Sequence, residues 1–172
     1  MKLYLSPICN FYAYTLLPIH LHFLIKIKTE QEILDILNET DKFLFEKYKA
    51  DLPTYISKQF SNFLNSYARS FNIVYNRKGF LFINNLKRSL VKEASNFRAF
   101  LFYIPKNAVH HGYTKTIGNW TYDSYNALIE IRNTMLLREE VFNWFGGKDG
   151  FLEFHKQEVF LKRGNLMSNK LL

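Results

Sequence analysis

The sequence predicts an α+β fold, and three observations lead there. Period-two alternation near the N-terminus marks strands, and apolar stripes at helical spacing mark helices further on. The two kinds of element do not alternate in the regular way that builds a parallel sheet. A length of 172 residues allows one ordinary domain with a hydrophobic core and a small appendage. With 48% hydrophobic and 22% charged residues, the chain reads as globular and soluble.

Two strands are expected first, "NFYAYTLL" (Asn10 to Leu17) and "IHLHFLIKIK" (Ile19 to Lys28), joined tightly at Pro18. Read two residues at a time, the second puts Ile19, Leu21, Phe23, Ile25 and Ile27 on a buried face. His20, His22, Leu24, Lys26 and Lys28 fall on the opposite one. The apolar stretch from Leu3 to Ile27 is therefore a core strand and not a membrane span, because Asn10, Pro18 and two histidines interrupt it.

Thr29 is placed to cap a helix in "TEQEILDIL", with Glu30 and Glu32 in the first turn. After Pro53 a long amphipathic helix is expected from Thr54 to Tyr75, with Ile56, Phe60, Phe63, Leu64, Tyr67 and Phe71 on one stripe. "NRKGFLF" (Asn76 to Phe82) reads as a basic turn around Gly79, and "KRSLVKE" (Lys87 to Glu93) as a short strand. A second helix follows from Ser95 to Asn107, ended by Gly112. Pro105 within it removes one i to i−4 hydrogen bond, crowds the carbonyl of Leu101, and predicts a kink between Tyr103 and Asn107. From Asn119 onward short helices are expected in "YDSYNALI", in "REEVFNWF" closed by Gly146 and Gly147, and in "FLEFHKQEVF", before a basic tail from Lys162.

The net charge of +8, with aromatic residues interspersed among the basic ones, favours an anionic partner and nucleic acid over a membrane. Cys9 is the only cysteine, so an intramolecular disulfide and cysteine-based zinc sites are excluded, and a reducing cytoplasm is the expected compartment.

Two features carry candidate chemistry. Imidazoles at i and i+2 on a strand point the same way, so His20 and His22 are either polar residues on a solvated face or two ligands of one metal. Tyr103 and Asn107 are four residues apart on one helical face. Asn107 can supply an amide oxygen to a His-His-amide site for Mg²⁺ or Mn²⁺, and Tyr103 is either core packing or a nucleophile one turn away. His110 and His111 read either as extra ligands or, in preference, as a basic turn after the helix.

In these residues the chain resembles a known family. "YAYTLLPIHLHFLIKIK" is similar to the strand-turn-strand of HUH-type single-tyrosine transposases, whose signature is two histidines flanking a hydrophobic residue. "NRKGFLFINNLKRSLVKE", "YIPKNAVHHGYT", "NWTYDSYNALI" and "LLREEVFNWFGGKDGFLEFHK" follow in the order of the branch called REP-associated tyrosine transposases. The resemblance runs from about Leu3 to Lys156. It differs at Ile19, where the family usually has Asn, and at Pro105 and Ala108 in the nucleophile helix.

The resemblance implies a ferredoxin-like antiparallel sheet with packed helices in a nuclease domain over residues 1–118. A first strand and part of a first helix of the family would lie before Met1, and a helical region with a basic tail would occupy residues 119–172. His20, His22 and Asn107 would hold Mg²⁺ or Mn²⁺, and Tyr103 would attack single-stranded, hairpin-bearing DNA to form a 5′-phosphotyrosine link. Arg77, Lys78, Lys87, Arg88 and Lys92 would track phosphates while aromatics stack on unpaired bases. A cytoplasmic, nucleoid-associated transposase or endonuclease is the expectation, and both monomers and homodimers occur among the relatives. A second expectation is a descendant that binds structured single-stranded DNA without cutting it, and a third is an unrelated basic RNA-binding module.

Overall fold

A computed structural model describes residues 1–18, 20–37, 42–43, 45–46, 52–82 and 86–156. Ile19, the residues after Lys156 and the basic tail lie outside the described residues. The fold is α+β, with two antiparallel strands in one sheet, helices, and small helices at the C-terminal end. Strand β1 (Cys9–Leu16) and strand β2 (Leu21–Ile27) form the hairpin, which the Leu17 amide helps to close by donating to the His20 carbonyl at 2.9 Å. The helices described over their full length are α1 (Glu30–Ile36), α2 (Leu52–Val74), α3 (Ala94–His110), α4 (Tyr125–Ile129), α5 (Arg138–Asn143) and α6 (Lys148–Lys156). Among the described residues, no helix is long and apolar enough to cross a membrane.

The chain divides into two compact units. The first draws on Met1–Asn10 and Lys26–Asn85, the second on Phe11–Ile25 and Leu86–Leu172.

In the first unit the chain from Lys2 to Ile8 forms turns, where strand had been expected from Leu3. Pro7 has no amide to give to a ladder, and the Cys9 amide closes a helical turn on the Leu5 carbonyl at 2.9 Å. Cys9 is buried and its thiol is pushed up to about 12 by burial, which makes it a small apolar core residue and not a nucleophile. Helix α1 starts as expected. The Glu32 amide donates to the Thr29 hydroxyl at 3.3 Å and the Thr29 amide to the Glu32 carboxylate at 2.7 Å, a reciprocal capping box. Helix α2 buries Tyr55, Phe60 and Phe63, and Tyr55 packs edge-on against Phe45 with centroids 4.9 Å apart.

In the second unit, β1 from Phe11 onward is largely buried. Its edge away from β2 is occupied by two later segments. Thr15 and Asp123 form an antiparallel bridge and Phe11 and Leu136 a parallel one. The Leu16 carbonyl accepts the Trp120 indole N–H at 2.9 Å, and the Tyr14 amide donates to the Ser124 hydroxyl at 2.9 Å. The strand edge thus keeps its hydrogen bonds without a further full strand.

Two expectations are corrected here. Leu86–Glu93 carries no strand and is mostly exposed, so the β-branched and apolar residues of "KRSLVKE" have no neighbouring ladder to join. Strand β2 does not bury the face of Leu21, Phe23 and Ile25. Its one buried residue is Leu24 at 5% exposure, on the histidine face, while Ile27 is 42% exposed. The histidine face is covered because α3 lies against it through Tyr103.

Helix α5 ends where two glycines follow, Gly146 at φ 72° and Gly147 at φ 118°, and the Gly147 amide donates to Phe142 at 2.9 Å. Phe151 and Val141 are fully buried among the terminal helices.

Candidate active site

The second unit brings the sequence-predicted residues together. His20 and His22 flank Leu21 at the start of β2, and their rings meet edge-on with centroids 4.8 Å apart. Tyr103 on α3 meets His22 the same way at 5.8 Å. Asn107 follows one turn later on α3, fully buried, with its Nδ2 donating to the Tyr103 carbonyl at 3.0 Å. That bond aims the amide oxygen away from the helix backbone, and Asn107 Oδ1 has no hydrogen-bond partner.

His22 Nε2 is the second orphan: it is buried and also has no partner. Burial, with the neighbouring His20 and His111 adding to it, pushes the His22 pKa down to about 4. His20 is lowered by burial and by His111, and the nearby Asn107 side chain works in the other direction. Both imidazoles are therefore neutral near pH 7, the form in which a ring nitrogen can donate its lone pair to a cation.

His111, expected in a basic turn in preference to a ligand position, lies beside the histidine pair. It caps α3, donating its amide to the Asn107 carbonyl at 3.0 Å, and its ring lies 4.6 Å from that of His20. The signal was present, since Tyr103, Asn107 and His111 are spaced i, i+4, i+8 and share one helical face. His110, beside it, is exposed.

Helix α3 runs unbroken through Pro105. The proline has no amide for the carbonyl of Leu101, but His155 of α6 reaches that carbonyl with Nε2 at 3.2 Å. Its Nδ1 lies 2.8 Å from the Phe151 carbonyl. Burial lowers the His155 pKa, so the neutral ring has one N–H for two carbonyls, and the tautomer that carries it on Nε2 serves the acceptor that the proline leaves open. Tyr103 and Asn107 stay on one helix.

Among the described residues, no set of three His, Cys, Asp or Glu side chains is arranged to hold a metal ion. Asn107, with its amide oxygen buried next along α3, is the candidate for a third donor. Two neutral imidazoles and an amide oxygen are a donor set that Mn²⁺ or Mg²⁺ accepts, and two of the three donor atoms are buried without other partners, so the residues fit such an ion.

Of the five basic residues expected to meet DNA, Arg77 and Lys78 belong to the first unit, and Lys87, Arg88 and Lys92 to the second. All five are exposed. Comparison of the chain with family profiles, with curated proteins and with solved structures found no match.

Proposed function

We propose that this chain is a metal-dependent tyrosine DNA endonuclease of transposase type, which nicks and rejoins hairpin-bearing single-stranded DNA. The observation that carries the reading is the buried His22 Nε2, which has no partner, with the Asn107 side chain close to His20 and the partly exposed Tyr103 beside His22. A buried polar atom without a partner costs about 1 to 3 kcal/mol, a cost that a bound cation removes.

The chemistry follows from these groups. His20, His22 and Asn107 would hold Mg²⁺ or Mn²⁺, which when bound supplies positive charge to polarise a phosphodiester. None of the three donors is charged, so the dication's charge is left for the phosphate instead of being neutralised by its ligands. The Tyr103 phenol gives up its proton as its oxygen bonds to phosphorus, the bond from phosphorus to the 3′ oxygen breaks, and the released 3′ oxygen takes up a proton, so the proton count is unchanged. The product is a 5′-phosphotyrosine. One phosphodiester replaces another, so the 3′ hydroxyl can attack in return and rejoin the strand. Helix α3 carries both the nucleophile and one ligand, which fixes their separation by one turn.

A second reading is a protein that binds structured single-stranded DNA without cleaving it, for which the exposed basic residues Arg77, Lys78, Lys87, Arg88 and Lys92 suffice. Incubation with Mn²⁺ and labelled hairpin-bearing single-stranded DNA separates the two. A covalent adduct on a denaturing gel, lost in Tyr103→Phe, supports the endonuclease. Binding without an adduct supports the second reading.

A further inference from the structure

From Leu52 to Lys92 the chain has no Asp or Glu and seven Lys or Arg: residues 58, 69, 77, 78, 87, 88 and 92. Seven of the eight net positive charges are thus concentrated in that segment. The first unit contains the end of α2 and the turn after it, where aromatic side chains leave the core. The stripe that begins with buried Phe63 continues through Tyr67 and Phe71 to Tyr75, which is 61% exposed. Tyr67 stacks on Phe71 with centroids 6.2 Å apart, and Phe71 lies 4.3 Å from Tyr75. The rings form a ladder that ends open to solvent.

The turn that follows is fixed. Asn76 takes φ 47°, the Arg77 amide donates to the Asn72 carbonyl at 2.8 Å, and the Asn76 amide donates to Ile73 at 3.3 Å, the two bonds of a Schellman ending. The Asn72 side chain donates to the Gly79 carbonyl at 2.8 Å. This closure brings the Arg77 guanidinium over the Phe71 ring, 5.8 Å from its centroid. Lys78 is exposed, and Phe80 is 90% exposed.

We infer that the end of α2 and its following turn form a stacking platform for single-stranded DNA, with unpaired bases on Tyr75 and Phe80 and phosphates met by Arg77 and Lys78. Exposed rings next to cations, without an acidic side chain in the segment, match an anionic chain whose ring faces are free. Duplex DNA offers its phosphates but keeps its bases stacked inside. Ile73 and Val74 are also exposed, at 72% and 73%, and make a second copy of the chain the competing occupant. The acid-free charge decides for DNA, because two such surfaces would repel each other. The inference shares the DNA partner of the proposed function and rests on that reading for the choice of DNA, but binding is measured without any cleavage.

The test is fluorescence anisotropy on the full chain with labelled oligothymidylate of about 20 nucleotides, against a duplex of the same length and an oligouridylate. Tyr75→Ala and Phe80→Ala are each expected to weaken oligothymidylate binding about tenfold and to leave duplex binding unchanged. Tyr75→Phe keeps the ring and is expected to bind like the parent. Arg77→Gln with Lys78→Gln should reduce the salt slope by about 1 to 2. Equal binding by the parent and both alanine variants would overturn the proposal, as would tighter binding of oligouridylate. A dimer in sedimentation that Tyr75→Ala with Phe80→Ala splits would also overturn it. Cleavage of hairpin-bearing DNA is read separately on a denaturing gel and oligothymidylate binding by anisotropy without Mn²⁺, so a failure of cleavage and a failure of the platform give different results.

Discussion

The ring of Tyr103 stands edge-on to the ring of His22, with centroids 5.8 Å apart and planes at 72°. The contact sets the Tyr103 ring beside the buried His22 imidazole, whose Nε2 has no hydrogen-bond partner. Asn107 follows one turn later on α3, with its Nδ2 donating to the Tyr103 carbonyl at 3.0 Å.

If His22 and Asn107 are ligands, Mn²⁺ should broaden the imidazole signals of His20 and His22 in proton NMR spectra. His22→Ala should abolish the effect. Asn107→Asp adds a negative charge to a neutral donor set, so it is expected to tighten Mn²⁺ binding by about tenfold or more. Unchanged binding in Asn107→Asp would place that side chain outside the ligand set.

His111 holds the proton affinity of His20 down by charge repulsion, over and above burial. His111→Ala is therefore expected to move the NMR titration of His20 toward the ordinary imidazole value. No movement would show that the 4.6 Å ring contact does not persist in solution.

His155 and Pro105 should be energetically coupled through the Leu101 carbonyl. His155→Ala leaves that buried acceptor without a partner and opens a small cavity, at a cost of about 2 to 3 kcal/mol. Pro105→Ala gives the helix back an amide for the same carbonyl, so the double variant should recover about 1 kcal/mol more than additivity allows. Urea unfolding of the four proteins gives the coupling, and simple additivity would refute it.

Asp123 is 5% exposed; its Oδ1 accepts the Tyr125 amide at 2.9 Å and its Oδ2 has no partner. Burial pushes its pKa up to about 6, whereas an unfolded Asp ionises near pH 4. Between those values the unfolded chain has lost the proton and the folded chain has kept it, so stability falls as pH rises through that window. Asp123→Asn is expected to be more stable than the parent by about 2 kcal/mol near pH 7 and to show no advantage below about pH 4. Thermal melts across pH would reveal it, and a constant difference at all pH values would contradict it.

What was legible in the sequence is what local spacing encodes. The Thr29 and Glu32 capping box, the end of α5 at Gly146 and Gly147, and the His-x-His and Tyr-to-Asn pairs are all read over four residues or fewer. Contacts between distant segments were not legible. The edge of β1 is covered by Asp123 and Leu136, more than a hundred residues away, and the Leu101 carbonyl freed by Pro105 faces His155 Nε2, fifty-four residues on. Leu86–Glu93 carries strand-forming residues but no ladder, because pairing depends on a neighbour that local propensity does not encode. The buried face of β2 was misassigned for a related reason. Alternation reveals that two faces differ, while the helix laid against one of them decides which is covered.

The account's central claim is that Tyr103 is the nucleophile, and peptide mapping tests it most directly. After incubation with Mn²⁺ and hairpin-bearing single-stranded DNA, the protein is treated with nuclease, digested with trypsin and read by mass spectrometry. Cleavage after Arg98 and Lys106 releases Ala99–Lys106, a peptide whose one tyrosine is Tyr103. The account predicts a nucleotide phosphate on that peptide. An unmodified Ala99–Lys106 in protein that has nicked the DNA, or a modified tyrosine elsewhere, would contradict it.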